Sequence, residues 1–106
     1  MIDDDYGLTG VDDAVIRREK AKAQALRKSR WWQNKIAGGI CHYCGRKFAP
    51  RELTMDHLFP LARGGTSSKG NVVPCCKECN TRKKTMMPLE WEEYVASLEH
   101  HDASGA

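Results

Sequence analysis

Two C-x-x-C pairs, Cys41 and Cys44 in "CHYCG" and Cys76 and Cys79 in "CKEC", constrain this chain of 106 residues more than any other feature. Each pair can bend its backbone into a turn that aims two thiolates at one ion, and two such turns complete a tetrahedral, all-cysteine zinc site. Four thiolates leave no open position for water or substrate, so zinc held there is expected to be structural. Gly45, directly after Cys44, suits the tight turn. A chain of this length with 2 Phe, 3 Tyr and 3 Trp has few large anchors, and the cysteines are its natural staple. The 31 residues separating Cys44 from Cys76 exceed the roughly 15 to 20 of an ordinary zinc ribbon, so something is inserted between the knuckles.

The cysteine total is 5, an odd number that fits metal ligation better than a disulfide framework. No apolar stretch follows a basic segment as in a signal peptide, and none has the length of a membrane span. The expected setting is a reducing cytoplasm, away from membranes.

Charge is segregated. Residues 1–13 carry five Asp and no basic residue, whereas residues 14–35 carry eight Lys or Arg against Glu19 alone. Residues 36–88 add nine basic residues against three acids, and residues 89–106 carry five acids and no Lys or Arg. A basic body between acidic ends matches what a polyanion-binding surface needs, although a solvated, salt-bridged surface has the same composition.

The expected organisation is an acidic disordered N-terminus over 1–10, a basic helical arm over 11–37, a central domain with a C-terminal helix over 38–98, and a flexible tail over 99–106. A capping box at Thr9–Asp12 and an Ala-, Lys-, Arg- and Gln-rich run predict one helix from about Val11 to Lys35, ended by Gly38-Gly39. Its apolar stripe is thin, so it is expected to dock one edge and leave its basic face in water. Between Cys41 and Gly70, prolines and glycines forbid a long helix, and Arg46–Phe48 and Leu53–Asp56 are expected to pair as a hairpin. Cys76 to about Thr85 reads as a short helix. Pro88 opens another, whose Trp91, Tyr94, Val95 and Leu98 recur at helical spacing and are expected to face inward.

The inserted segment carries the chemistry. Asp56 and His57 stand at the expected end of a strand, Gly64-Gly65 mark a loop, Asn71 precedes "VVP", and Asn80 follows Cys79 on the helix that zinc would anchor. If zinc holds the hairpin and helix together, Asp56 and Asn80 can converge as oxygen ligands of a second, harder cation.

"CHYCG", "LTMDHLFPLARGG", "NVVPCCKECNTRKK" and the later "LEW" resemble the HNH endonucleases, specifically the zinc-bound branch, in an HNN variant because the motif ends in Asn80. The likeness covers about residues 40–92. It implies a small α+β fold: a ββα-metal core stapled by the four-cysteine zinc site, flanked by N-terminal and C-terminal helices. It also implies that His57 is the general base, that Asp56 and Asn80 bind the single catalytic metal, and that Asn71 holds the loop and His57 in place. Cys75 falls where the family usually has a small or apolar residue, and the C-x-x-C spacing favours Cys76 as the ligand.

Phosphodiester hydrolysis suits such a set. A neutral imidazole can take a proton from water, and a hard divalent cation can offset charge gathering on the phosphate and the leaving oxygen. An oxygen pair favours Mg²⁺ or Mn²⁺ over zinc. Lys83 and Lys84, one turn beyond Asn80, and Arg63 near the glycines are candidate phosphate contacts, with Arg27, Lys28 and Arg30 of the arm along the DNA backbone. Trp31-Trp32 can pack the arm or stack on bases. No second specificity module is recognisable, so sequence preference is expected to be weak, and a monomer with one site is expected to nick. A non-catalytic zinc module binding nucleic acid explains the cysteines and the charge, but not Asp56, His57, Asn71 and Asn80 in this order.

Overall fold

Val72-Val73-Pro74-Cys75, four buried residues in a row, form strand β2, which pairs antiparallel with β1, Thr54–His57. The register sets Asp56 opposite Val73 and His57 opposite Val72. Pro74 costs this sheet little, since with two strands each has an open edge. The computed structural model describes residues 11–105, with side chains described for 11–98. The segment 1–10 lies outside the described residues, as do the side chains of 99–106.

Among the described residues four α-helices accompany the sheet: α1 (Asp13–Arg27), α2 (Arg30–Ile36), α3 (Lys77–Lys83) and α4 (Pro88–Gly105). The fold is therefore small α+β, with β1, β2 and α3 in succession. Its core is built on sulfur. Cys41, Leu53, Cys75, Cys76 and Cys79 are buried together, and Ile36, Tyr43, Phe48 and Trp91 pack around them.

The single helix expected from Val11 to Lys35 is two. The Lys28 amide closes α1 on the Ala25 and Leu26 carbonyls, and Ser29 starts α2 by accepting from the Trp32 amide at 3.2 Å while its hydroxyl donates to Leu26 O at 2.6 Å. A serine that satisfies both helix ends overrides the helical propensity of its neighbours. Asp12 caps α1, its carboxylate accepting from the Ala14 amide. All seven Lys and Arg of the two helices, and Lys28 between them, are exposed while Ala23 and Trp32 are buried, so the basic face is in water and at least one Trp packs.

The expected hairpin partner is also corrected. Residues 46–48 are used to close the first knuckle: the Cys41 amide donates to Arg46 O at 3.0 Å and the Phe48 amide to Gly39 O at 2.7 Å, with one isolated bridge between Ile40 and Lys47. β1 pairs instead with the β-branched, fully buried β2. Gly39 lies so close under this knuckle that a Cβ there would sit 2.2 Å from Phe48 O.

Helix α4 starts at Pro88 as its sequence requires, but it faces inward only at its first turns. Trp91 packs edge-on against Tyr43 at 5.2 Å between ring centres, whereas Leu98 is exposed. No helix among the described residues is long and apolar enough to cross a membrane.

Candidate active site

The sulfurs of Cys41, Cys44, Cys76 and Cys79 all lie within 4.8 Å of one another, and Cys44 Sγ is 3.9 Å from Cys76 Sγ. A tetrahedron with metal–sulfur bonds of about 2.3 Å has edges of about 3.8 Å, so this donor set fits a four-thiolate ion. The backbone prepares it. Gly45 takes φ 73° in the first knuckle, and Cys76 is the N-cap of α3, its sulfur accepting from the Cys79 amide at 3.5 Å. Desolvation opposes the Cys44 thiolate, but the Arg46 side chain, donating to Cys44 Sγ at 3.4 Å, the Arg46 amide and the neighbouring Cys41 and Cys76 together lower the thiol to about 6. Glu78 on α3 in turn holds Arg46 at 2.6 Å. Cys75 is outside this cluster, as its position implied. It is fully buried, its thiol donates to Cys76 O, and burial together with the nearby Asp56 charge pushes its pKa up.

With α3 fixed by Cys76 and Cys79, its face meets β1. Asp56 is buried and its Oδ2 receives the Tyr43 hydroxyl at 2.5 Å, while Lys83 Nζ lies 3.3 Å away. Burial and this bond to Asp56 raise the Tyr43 pKa, so the phenol stays a donor. Among the described residues both partners sit on Oδ2, which leaves Oδ1 for another ligand. Asn80 is exposed on α3, three positions before Lys83 and so on the same side of the helix.

Lys83 corrects an expectation. It has no exposed surface and spends its ammonium on His57 O at 3.2 Å, Leu58 O at 3.4 Å and Met86 O at 2.9 Å as well as on Asp56. It cannot meet a phosphate from there. Lys84 is exposed, at the positive φ of 48° that ends α3. Arg63 is exposed but engaged, donating to Glu90 at 2.5 Å, and Glu90 also accepts from the Met87 amide at the start of α4. Arg63 thus ties the loop to α4.

His57 is half-buried at the end of β1, with Nε2 2.9 Å from Ser67 Oγ. Burial lowers its pKa, and Arg27 and Lys83 work in the same direction, against Asp56 and Glu19. The imidazole is thereby favoured in its neutral form. The loop beneath it is held by Asn71, whose Oδ1 accepts from the Phe59 amide at 2.9 Å and whose Nδ2 donates to Thr66 O at 2.7 Å and Phe59 O at 3.1 Å. Among the described residues every side-chain bond of Asn71 goes to loop backbone, so it positions the loop. Gly65 permits the closure: a Cβ there would stand 1.7 Å from Phe59 O.

Tyr43, Ser67 and Glu19 were missed in sequence. Tyr43 lies inside the knuckle, where the cysteines draw attention away from it. Ser67 is an ordinary loop residue by type. Glu19 did carry a signal, as the lone acid of a basic run, and it is buried against Ser67.

A family model described as HNH endonuclease matches residues 41–94. The chain is also 28% identical over 90 residues to the CRISPR-associated endonuclease Cas9 of Actinomyces naeslundii, an alignment that covers 84% of this chain and 7% of that protein. The chain thus spans a small fraction of that relative's length. The family match begins at the first cysteine of the frame and ends on α4, enclosing β1 with Asp56 and His57, the Asn71 loop and Asn80. With the cysteine frame, His57 and α3 inside one matched stretch, this chain belongs to the HNH endonuclease family and is a nuclease of that kind.

Proposed function

We propose that this endonuclease is metal-dependent, acts on DNA, and cuts one strand of a duplex with little sequence preference. The observation that supports this reading is a half-buried, neutral-leaning His57 next to the buried Asp56 on β1, the strand that α3, the helix carrying Asn80, packs against. The structural ion is zinc, held by Cys41, Cys44, Cys76 and Cys79, which fits four sulfur donors at tetrahedral spacing. Asp56 and Asn80 offer oxygens, a donor set suited to Mg²⁺ or Mn²⁺. When bound, such an ion supplies charge stabilisation to the phosphate and the leaving oxygen.

The protein's own groups do the rest. His57 removes a proton from the attacking water and needs to be neutral to do so, which burial favours. Tyr43 and Lys83 hold Asp56 by one oxygen, fixing the carboxylate before substrate arrives. Asn71 holds the loop behind His57. Phosphate attraction comes from exposed Arg27, Lys28 and Arg30 of the arm and from Lys84, a sequence-independent pull that weakens with salt. A monomer with one such site breaks one strand per visit.

Supercoiled plasmid tests the proposal. With Mg²⁺ or Mn²⁺ the purified chain is expected to produce open circles, EDTA to stop it, and His57→Ala to abolish cutting while still binding DNA. Equal cutting by His57→Ala and the parent would overturn the assignment.

A further inference from the structure

The N-terminal helix reaches the catalytic histidine through one serine. Ser67 is buried, and its hydroxyl lies 2.5 Å from the backbone oxygen of Glu19 and 2.9 Å from His57 Nε2. A carbonyl oxygen can only accept, and two oxygens at that distance need a proton between them. The single Ser67 proton is therefore committed to Glu19 O. What remains on Ser67 Oγ toward His57 is a lone pair, so Nε2 must be the nitrogen that donates. In a neutral imidazole this leaves Nδ1 as the basic nitrogen.

The serine is itself clamped. Its amide donates to Glu19 Oε1 at 2.6 Å, and Lys22 on the next turn of α1 holds the other carboxylate oxygen at 3.1 Å. The Ser67 amide, and then Lys22, keep the Glu19 carboxyl below its ordinary pKa, so the acceptor stays charged. From α2, Trp31 faces the ammonium of Lys69, two residues beyond Ser67, at 5.6 Å. The arm thus grips the loop at two places, and only one of its grips passes directly to the ring of His57.

We infer that α1 is a working part of the catalytic centre, in which Ser67, seated on Glu19, positions His57 as its Nε2–H tautomer. This rests on the nuclease reading above, and it gives the basic arm a second role besides phosphate attraction. Ser67 and Glu19 are positioning residues; neither touches the reacting atoms.

The test reads the tautomer in the free protein, where no substrate or turnover is needed. Nitrogen-15 spectra of labelled histidine, at a pH where His57 is neutral, are expected to show a single Nε2–H form in the parent. Ser67→Ala is expected to give mixed tautomers and a single-turnover cutting constant lower by roughly 10- to 100-fold, the cost typical of losing a group that orients a functional imidazole, with little change in the plasmid concentration needed. Ser67→Thr keeps the hydroxyl and should restore both readouts. Ser67→Cys, close in size but a weak hydrogen-bonding group, should behave as Ala does and serves if Ala fails to fold. Glu19→Ala should move both readouts in the same direction by a smaller amount, since the backbone oxygen stays but the clamp on the Ser67 amide is lost. A parent-like tautomer and cutting constant in Ser67→Ala or Ser67→Cys would overturn the inference and leave the nuclease reading intact. Parent-like cutting by His57→Ala would instead remove both.

Discussion

Lys83 Nζ stands 3.3 Å from Asp56 Oδ2 with no part of the lysine exposed, so the charge of this buried carboxylate is balanced from within the fold. The lysine also joins three carbonyls, one at the end of β1, one on the turn just after it and one beyond α3. It is at once a structural strut and the electrostatic partner of Asp56. Its neighbour Lys84 has neither role.

This separates two adjacent lysines experimentally. Removing one member of a buried, hydrogen-bonded ion pair leaves the other uncompensated and costs about 3 to 5 kcal/mol. Lys83→Ala is expected to lose stability on that order in chemical denaturation. Lys84→Ala should leave stability within about 0.5 kcal/mol, as surface changes do, while weakening plasmid binding and flattening its salt dependence. Similar midpoints for the two variants would place Lys83 outside the core.

The adjacent cysteines divide in the same way. Cys76→Ser removes a thiolate from the four-sulfur cluster and the sulfur that caps α3, and it is expected to lose zinc and unfold. Cys75→Ser puts a hydroxyl in a fully buried apolar position, where the existing bond to Cys76 O can be kept. A mild loss with one zinc retained per chain is expected, and metal analysis of the two proteins decides the matter.

How much of this was readable in advance follows the range of each interaction. Knuckle spacing, the Asp56-His57 pair, and Pro88 at a helix start are local chemistry, and each was visible in a few residues. The partner of β1 was not, because Arg46–Phe48 and Val72–Cys75 both suit a strand, and only the knuckle's own hydrogen bonds use up the first. Lys83 and Lys84 are likewise indistinguishable until carbonyls 25 residues away draw one of them inward. The contact between Glu19 and Ser67 spans 48 residues and has no motif to announce it. The break at Ser29 was legible in principle, since a capping residue stood in the middle of the run.

The pH dependence of cutting carries a sign. Burial, the largest cause, depresses the His57 pKa below the ordinary imidazole value of about 6.5, and the nearby Arg27 pushes it the same way. The active, neutral base therefore persists as pH falls below that value, and the acid limb of the rate profile is expected on the acid side of 6.5. Arg27→Gln removes one depressing charge, so the limb should move to higher pH. A limb that moves downward would contradict the electrostatic account, whatever the variant does to DNA affinity.

Asn80 offers a sharper test of the metal assignment. It is exposed on α3 beside the Asp56 strand, and no described side chain hydrogen-bonds it, so replacement should not disturb packing. Asn80→His puts an imidazole nitrogen in place of a neutral amide oxygen. Softer divalent ions bind nitrogen better than Mg²⁺ does, so cutting across a panel of Mg²⁺, Mn²⁺, Co²⁺ and Ni²⁺ should survive with its ranking shifted toward Co²⁺ and Ni²⁺. Asp56→Ala, by contrast, removes the charged ligand and leaves Lys83 buried without its partner, and it should be inactive with every ion and less stable. If Asn80 is only a surface residue, the ranking will not move, and the oxygen pair proposed for the catalytic ion loses half its support.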